Sequence, residues 1–148
     1  MRNILLIILA GLLIYGCKKS KFSTTPQLTF KSLSPDVLYP DQLIRFRLNF
    51  TDAEGDLEDS LYVEKVVTRC NRGGFVEKYK MPVFPTGKNT EGEIEVVYAH
   101  GINIGGYYSI GAPQCDFNDT CFFRFMLKDK AQNRSDTVNS PTFVIIKQ

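Results

Sequence analysis

The chain has 148 residues, of which 18 are basic and 16 acidic, and its formal net charge at neutral pH is +2. Several basic side chains cluster near the N terminus, so the remainder is slightly acidic and does not support a nucleic-acid partner. The length suffices for one domain with its own core, and 11 Phe and 7 Tyr without any Trp favour a β-rich fold.

The first residues have the pattern of a secretory signal peptide. Arg2 and Asn3 are polar, and residues 4–15 form an apolar run that ends before Gly16. A helix over this run would be only ~18 Å long against a hydrocarbon core of ~30 Å, so it is too short to span a membrane. A charged start, a short apolar run and a small residue before the cut predict that residues 1–16 are a cleaved leader.

The residue after the predicted cut is Cys17. Residues 12–17 resemble the lipobox of bacterial lipoproteins, which implies that the Cys17 sulfur and the new N terminus carry acyl chains such as palmitate. Residues 17–26 are then the lipidated cysteine and a polar tether. Several acyl chains anchor a protein stably, whereas a single chain binds reversibly. The alternative is an ordinary signal peptide followed by a chance cysteine.

Three lysines, Lys18, Lys19 and Lys21, follow the cysteine. They either attract anionic lipid headgroups or are simply solvated. In bacterial lipoproteins an Asp directly after the cysteine often marks retention in the inner membrane, so Lys18 implies the outer membrane by this resemblance. The acidic cluster that often marks surface export in the Bacteroidota is missing, and we therefore expect an anchor that faces the periplasm.

The remainder of the chain has strand patterning. The clearest strand covers residues 44–50, in which large apolar residues alternate with charged or polar ones, so that one face is buried and the other is wet. We therefore predict that residues 27–148 form a single antiparallel β-sandwich of about seven or eight strands. Other short segments with strand character, separated by turn signals, lie at 28–30, 61–70, 75–81, 94–98, 123–127 and 143–146.

Two turns indicate a more specific fold. Residues 50–57 resemble the F-x-D-x-E-G-D turn of small Bacteroidota lipoproteins with Ig-like or cadherin-like domains. Residues 128–135 resemble the D-x-A-G-N-x-S hairpin before the last strand of such domains, with Gln132 in place of Gly. The resemblance implies an Ig-like sandwich but no particular activity.

The first of these turns is also a candidate metal site. Carboxylates alternate along it, and Gly55 allows the chain to bend tightly. Calcium prefers several oxygen ligands, and residues 129–133 could add more of them if the two turns meet at one end of the sandwich, as cadherin-like domains also suggest. The alternative is a turn whose side chains bond only their own backbone. The tentative calcium ligands are Asp52, Glu54, Asp56, Asp129 and Asn133.

Three cysteines remain after Cys17, and the oxidising envelope favours a disulfide between two of them. Cys115 and Cys121 flank a short polar loop, so the sequence favours a bond between these two. Cys70 would then be a buried free thiol, or it would take one of the two as its own partner, since geometry decides the pairing. The spacing matches no zinc site.

Aromatic residues in two loops are tentative binding residues. Tyr107 and Tyr108 lie in a glycine-rich stretch, and Phe117 lies between two cysteines. Exposed rings there could stack on a sugar ring or a peptide, whereas rings packed on the core would have no such role.

These observations predict a lipid-anchored envelope lipoprotein whose sandwich presents its loops to a partner protein or a glycan, without catalysis. The alternative is a structural or adhesion domain stabilised by calcium, the only cofactor that the sequence indicates. A small envelope enzyme is the third and least favoured interpretation, because no catalytic motif is recognisable.

Overall fold

A computed structural model describes residues 21–57, 59–83, 87–101 and 105–147 of the chain. The predicted leader, Cys17 and the first part of the tether lie outside these ranges. The described ranges contain strands, turns and irregular segments, and none of their residues is helical. Accordingly, this part of the chain has no helix that is long and apolar enough to cross a membrane.

Ten strands form in the described ranges, and three of them have only two residues. The strands β1 to β5 cover Gln27–Ser34, Val37–Leu38, Gln42–Asp52, Ser60–Val67 and Phe75–Lys80. The strands β6 to β10 cover Thr90–His100, Tyr108–Ser109, Asp119–Lys128, Val138–Asn139 and Phe143–Ile145.

The strands form two sheets that pack face to face. One sheet has the order β1-β3-β6-β7, and the other has the order β2-β10-β8-β4-β5 with β9 beside β8. The pairing is antiparallel except for two short parallel pairs, β2 with β10 and β6 with β7. The predicted all-β sandwich is therefore confirmed, and the three two-residue strands β2, β7 and β9 add to the seven longer ones.

The core is centred on β3 and β8, which face each other from the two sheets. The Phe46 ring centroid lies 4.5 Å from that of Phe123 and 5.5 Å from that of Phe125. The inward side chains of both strands are at most 6% exposed, as the alternation predicted. Full burial of a large apolar side chain contributes ~1.5–3 kcal/mol to the free energy of unfolding. The packing of these rings is therefore a principal interaction between the two sheets.

One side of the sandwich, between β5 and β6, is open. Ile94 and Val96 of β6 stay only half-buried, whereas the β3 residues with which they pair are fully buried. In the described part of the chain, β7 pairs with β6 only at Tyr98 and Ala99, so residues 90–97 have no partner strand on that edge. The strand β5 likewise pairs only with β4. A groove therefore runs between two sheet edges.

We expect Phe46→Ala to lower the free energy of unfolding by about 3–5 kcal/mol, because it removes the ring that packs against Phe123 and Phe125 and leaves a cavity. Val76→Ala is the control, since Val76 is 70% exposed on β5 and its change should stay within about 0.5 kcal/mol. Denaturation in urea measures both. A loss below ~1 kcal/mol for Phe46→Ala would contradict the importance of this contact.

Candidate functional site

The acidic turn begins where β3 ends. The Asp52 carboxylate oxygen Oδ2 accepts hydrogen bonds from the backbone N–H groups of Gly55 and, at 3.3 Å, of Asp56. Gly55 has a φ of 71°, and an added Cβ would collide with the carbonyl oxygen of Gly87. The turn therefore requires both the Asp52 side chain and a glycine.

The turn that follows β8 joins the first turn, which is the condition under which the sequence offered Asp129 and Asn133 as further ligands. The Asp56 carboxylate accepts a hydrogen bond from the Ala131 N–H at 3.1 Å. The Asp129 carboxylate accepts bonds from the backbone N–H of Asn133 at 2.7 Å and from its side-chain Nδ2 at 2.9 Å. One carboxylate oxygen each of Asp52, Asp56 and Asp129 lies within 4.8 Å of the others. We call these three residues the acidic cluster.

The acidic cluster contains three of the five predicted calcium ligands. Asn133 lies beside it and orients Asp129 through two hydrogen bonds. Glu54 is exposed and lies outside it. The strand β3 ends at Asp52 and the chain bends at residues 53 and 54, so the alternation of the strand does not extend to Glu54.

Asp52 is fully buried although it is an acid. Burial raises the pKa of its carboxyl group, and the nearby charges of Asp56 and Asp129 act in the same direction, while the two backbone hydrogen bonds oppose the shift. The oxygen Oδ1 of Asp52 and the oxygen Oδ1 of Asp56 are buried without a hydrogen-bond partner. A buried polar atom in that condition costs about 1–3 kcal/mol.

The groove between β5 and β6 has aromatic side chains at one end. The Tyr108 ring centroid lies 5.4 Å from that of Tyr79, and the Tyr79 hydroxyl lies 2.9 Å from the Tyr98 hydroxyl. A cavity of 220 Å³ opens beside these rings and adjoins a second cavity of 450 Å³. The residues that line both cavities are Met81, Pro82, Ile94 and Glu95.

The phenol groups of Tyr79 and Tyr98 stay protonated. Burial raises the pKa of Tyr79 to about 12, and its hydrogen bond to the Glu77 carboxylate adds to the shift. Burial also raises the pKa of Tyr98, as does its hydrogen bond with Tyr79. The groove therefore presents neutral hydroxyl groups beside an apolar floor.

The loop that carries Tyr107 and Tyr108 is fixed by the buried residue Ile110. The Ile110 N–H donates to the Ala99 carbonyl at 2.8 Å, and its carbonyl accepts a hydrogen bond from Lys65 Nζ at 3.0 Å. Tyr107 is 45% exposed and Tyr108 66% exposed. Neither tyrosine packs into the core, so both stay available as the binding residues that the sequence suggested.

The sequence interpretation missed two buried charged residues, Lys65 and Asp119. Leu61, Val63 and Lys65 are alternate residues of β4 and therefore point to the same face of the sheet. Extending the alternation from the first two would have placed Lys65 inside the sandwich. Burial lowers its pKa, although nearby Asp119 acts in the opposite direction. The backbone satisfies both charged groups. Lys65 Nζ donates a hydrogen bond to the Ile110 carbonyl, and the Asp119 carboxylate accepts one from the Cys70 N–H.

The predicted disulfide between Cys115 and Cys121 is wrong. The bond joins Cys70 and Cys115, whose Cα atoms are 6.0 Å apart. Cys121 is a free thiol on β8, in phase with Phe123, and it points into the core. A side chain that faces the core cannot reach a cysteine in the loop outside the strand. Burial raises the pKa of Cys121 to about 12, so the thiol stays protonated.

Phe117 lies in the loop that follows the disulfide, and it is 43% exposed as the sequence suggested. The Arg69 guanidinium carbon lies 5.1 Å from its ring centroid, so the ring already has a cation–π contact within the chain. Phe117 lines neither cavity of the groove.

No protein-family model and no curated protein matches the chain. Among solved structures, the chain is similar to the sporulation control protein Spo0M from Bacillus subtilis, at 9% identity and a TM-score of 0.46, over 84% of this chain and 50% of that one. It is also similar to a Niemann-Pick type C2 protein from the Japanese carpenter ant, at 10% identity and a TM-score of 0.42, over 90% and 100%. The chain thus spans half the length of the Spo0M chain. Similarities this weak assign neither an activity nor a ligand.

The buried thiol allows a direct test of the disulfide. In a Cys17→Ser chain under native conditions, we expect no reaction with a disulfide reagent that reports thiolates, because Cys121 is buried and protonated. After unfolding in guanidinium, one thiol should react. Peptide mapping without reduction should recover a Cys70–Cys115 pair. Rapid native labelling, or a recovered peptide that joins Cys121 to either of the others, would contradict this pairing.

Proposed function

We propose that this chain is a lipid-anchored lipoprotein of the cell envelope, on the outer membrane and facing the periplasm, and that its sandwich is a non-catalytic binding module. The observation that supports the binding role is the open groove between β5 and β6, with Tyr108 exposed at one end. The anchor rests on the sequence of residues 12–17, which lies outside the described ranges.

An extended polypeptide segment is the partner that suits this groove. Residues 90–97 of β6 offer backbone N–H and C=O groups that no neighbouring strand uses in the described part of the chain. Free sheet edges of this kind accept an additional strand. The strand β7 already lies beside Tyr98 and Ala99, so a bound segment would continue the row that β7 begins.

The floor of the groove would receive the side chains of such a segment. Ile94 and Val96 present half-buried apolar surface there, and the rings of Tyr79 and Tyr108 border it. Because alternate residues of an extended segment point to the same side, every second side chain would lie on this floor. We therefore expect a segment with apolar residues at alternate positions.

A glycan suits the groove less well, although the exposed Tyr108 ring could stack on a sugar. Sugar hydroxyl groups need several hydrogen-bond partners when they are buried. The hydroxyl groups of Tyr79 and Tyr98 are bonded to each other, and that of Tyr79 also bonds Glu77. Most other side chains that line the smaller cavity are apolar.

Peptide display tests the proposal. A random peptide library panned on the purified full-length protein should yield segments with alternating apolar residues. Tyr108→Ala should weaken the selected peptide about tenfold, or roughly 1.4 kcal/mol, because it removes the exposed ring beside the groove. Tyr39→Ala should leave binding unchanged, since Tyr39 is also exposed but lines neither cavity.

Methylation of the peptide backbone then distinguishes strand addition from binding through side chains alone. Methyl groups on every second backbone nitrogen should abolish binding in one register and be tolerated in the other, since only one set of N–H groups faces the sheet edge. Tolerance in both registers, or recognition on a glycan array with none on peptides, would overturn the assignment of a polypeptide partner.

The anchor is testable separately. Expression in a Gram-negative host with labelled palmitate should label the wild-type chain, and Cys17→Ser should abolish the label and release the protein from the membrane fraction, because the acylated sulfur is gone. Lys18→Ala is the control, since the neighbouring side chain takes no acyl group. Persistent labelling of Cys17→Ser would contradict the lipid anchor.

A further inference from the structure

Two buried carboxylate oxygens of the acidic cluster have no hydrogen-bond donor. Asp52 is 0% exposed, and its Oδ2 takes both backbone bonds while its Oδ1 takes none. The Oδ1 of Asp56 is in the same condition, whereas its Oδ2 accepts the N–H of Ala131. Buried polar atoms are normally satisfied by a donor or by a bound ion. These two oxygens therefore require an explanation.

No ion pair within the described ranges brings a positive charge to the acidic cluster. Oxygens of three carboxylates within 4.8 Å of one another repel strongly in surroundings of low dielectric. A divalent cation between them would remove this repulsion and satisfy the unpartnered oxygens.

We propose that Asp52, Asp56 and Asp129 bind a calcium ion between the two turns. All the donors are oxygens, and the cluster contains no His or Cys, which disfavours zinc. Calcium accepts about six to eight oxygens in a flexible arrangement, so carbonyl groups and water can complete its shell, whereas magnesium requires a stricter octahedron.

The ion would join three parts of the molecule. Asp52 ends β3 of one sheet, and Asp129 follows β8 of the other sheet. Asn133, which orients Asp129, also donates to the Thr24 carbonyl at 3.4 Å and so reaches the N-terminal segment. Calcium would thus stabilise the end at which the chain enters the sandwich, which is the structural role that the sequence indicated as an alternative.

Thermal unfolding of the full-length protein in detergent, with calcium or with a chelator, tests the site. Calcium at ~100-fold above its Kd should raise the melting temperature by about 10 °C, because the ion binds only the folded state. Calorimetric titration should give a single ion per chain. Magnesium at the same concentration should produce a smaller shift.

Asp56→Asn is the informative variant, because Asp52 also holds its own turn. Asp56 is half-buried, and an amide oxygen can still accept the Ala131 N–H. The variant should lower calcium affinity at least about tenfold, while the melting temperature in chelator stays the same or rises as one repulsive charge is lost. Asp136→Asn is the control, since exposed Asp136 lies outside the cluster and should keep the full shift.

Three results would count against the proposal. A cooperatively unfolding protein with neither heat nor a melting shift at millimolar calcium would overturn it. An equal shift in the wild type and in Asp56→Asn would place calcium elsewhere on the chain. An equal shift with magnesium would overturn the choice of calcium as the ion.

Discussion

The contact of Phe46 with Phe123 and Phe125 sets the relative position of β3 and β8, and both candidate sites depend on it. The two strands lead to the same end of the sandwich, where β3 finishes at Asp52 and β8 is followed by Asp129. Aromatic packing in the middle of the domain therefore determines that carboxylates from two sheets meet at its end. Phe75 of β5 and Tyr98 of β6 also contact Phe123. The groove opens farther along β6, beside Ile94 and Glu95.

The strand pattern could be predicted because it is local. The alternation over residues 44–50 predicts which side chains face the core, and the same side chains of β3 are buried in the structure. The acidic turn was equally readable, since an Asp at a strand end and a nearby Gly are the residues that a tight bend requires. The sequence did not predict the meeting of Asp52 with Asp129, which it stated only as a condition, because that contact depends on how the two sheets pack.

The features that the sequence did not predict depend on contacts between distant segments. Cys115 bonds Cys70, which lies 45 residues away, and only the fold brings the two together. The exclusion of Cys121 was available in principle, because continuing the alternation of β8 back by one step from Phe123 places it in the core. The order of strands in the sheets could not be predicted from any local pattern. Because that order makes β5 and β6 neighbouring edges, the groove between them could not be predicted either.

The bonds between the N-terminal segment and the acidic end limit how far this end would lie from a membrane if Cys17 carries the proposed lipid. The chain enters the sandwich at Ser23 and Thr24, beside Ala53 and Asn133. A lipid on Cys17 would lie at most ~20 Å of extended chain from Ser23. The acidic end would therefore lie within that reach of the lipid attachment. The opposite end of β8, with the disulfide loop, would be farther from the lipid attachment by the length of that strand, and the groove along β6 would lie between the two ends.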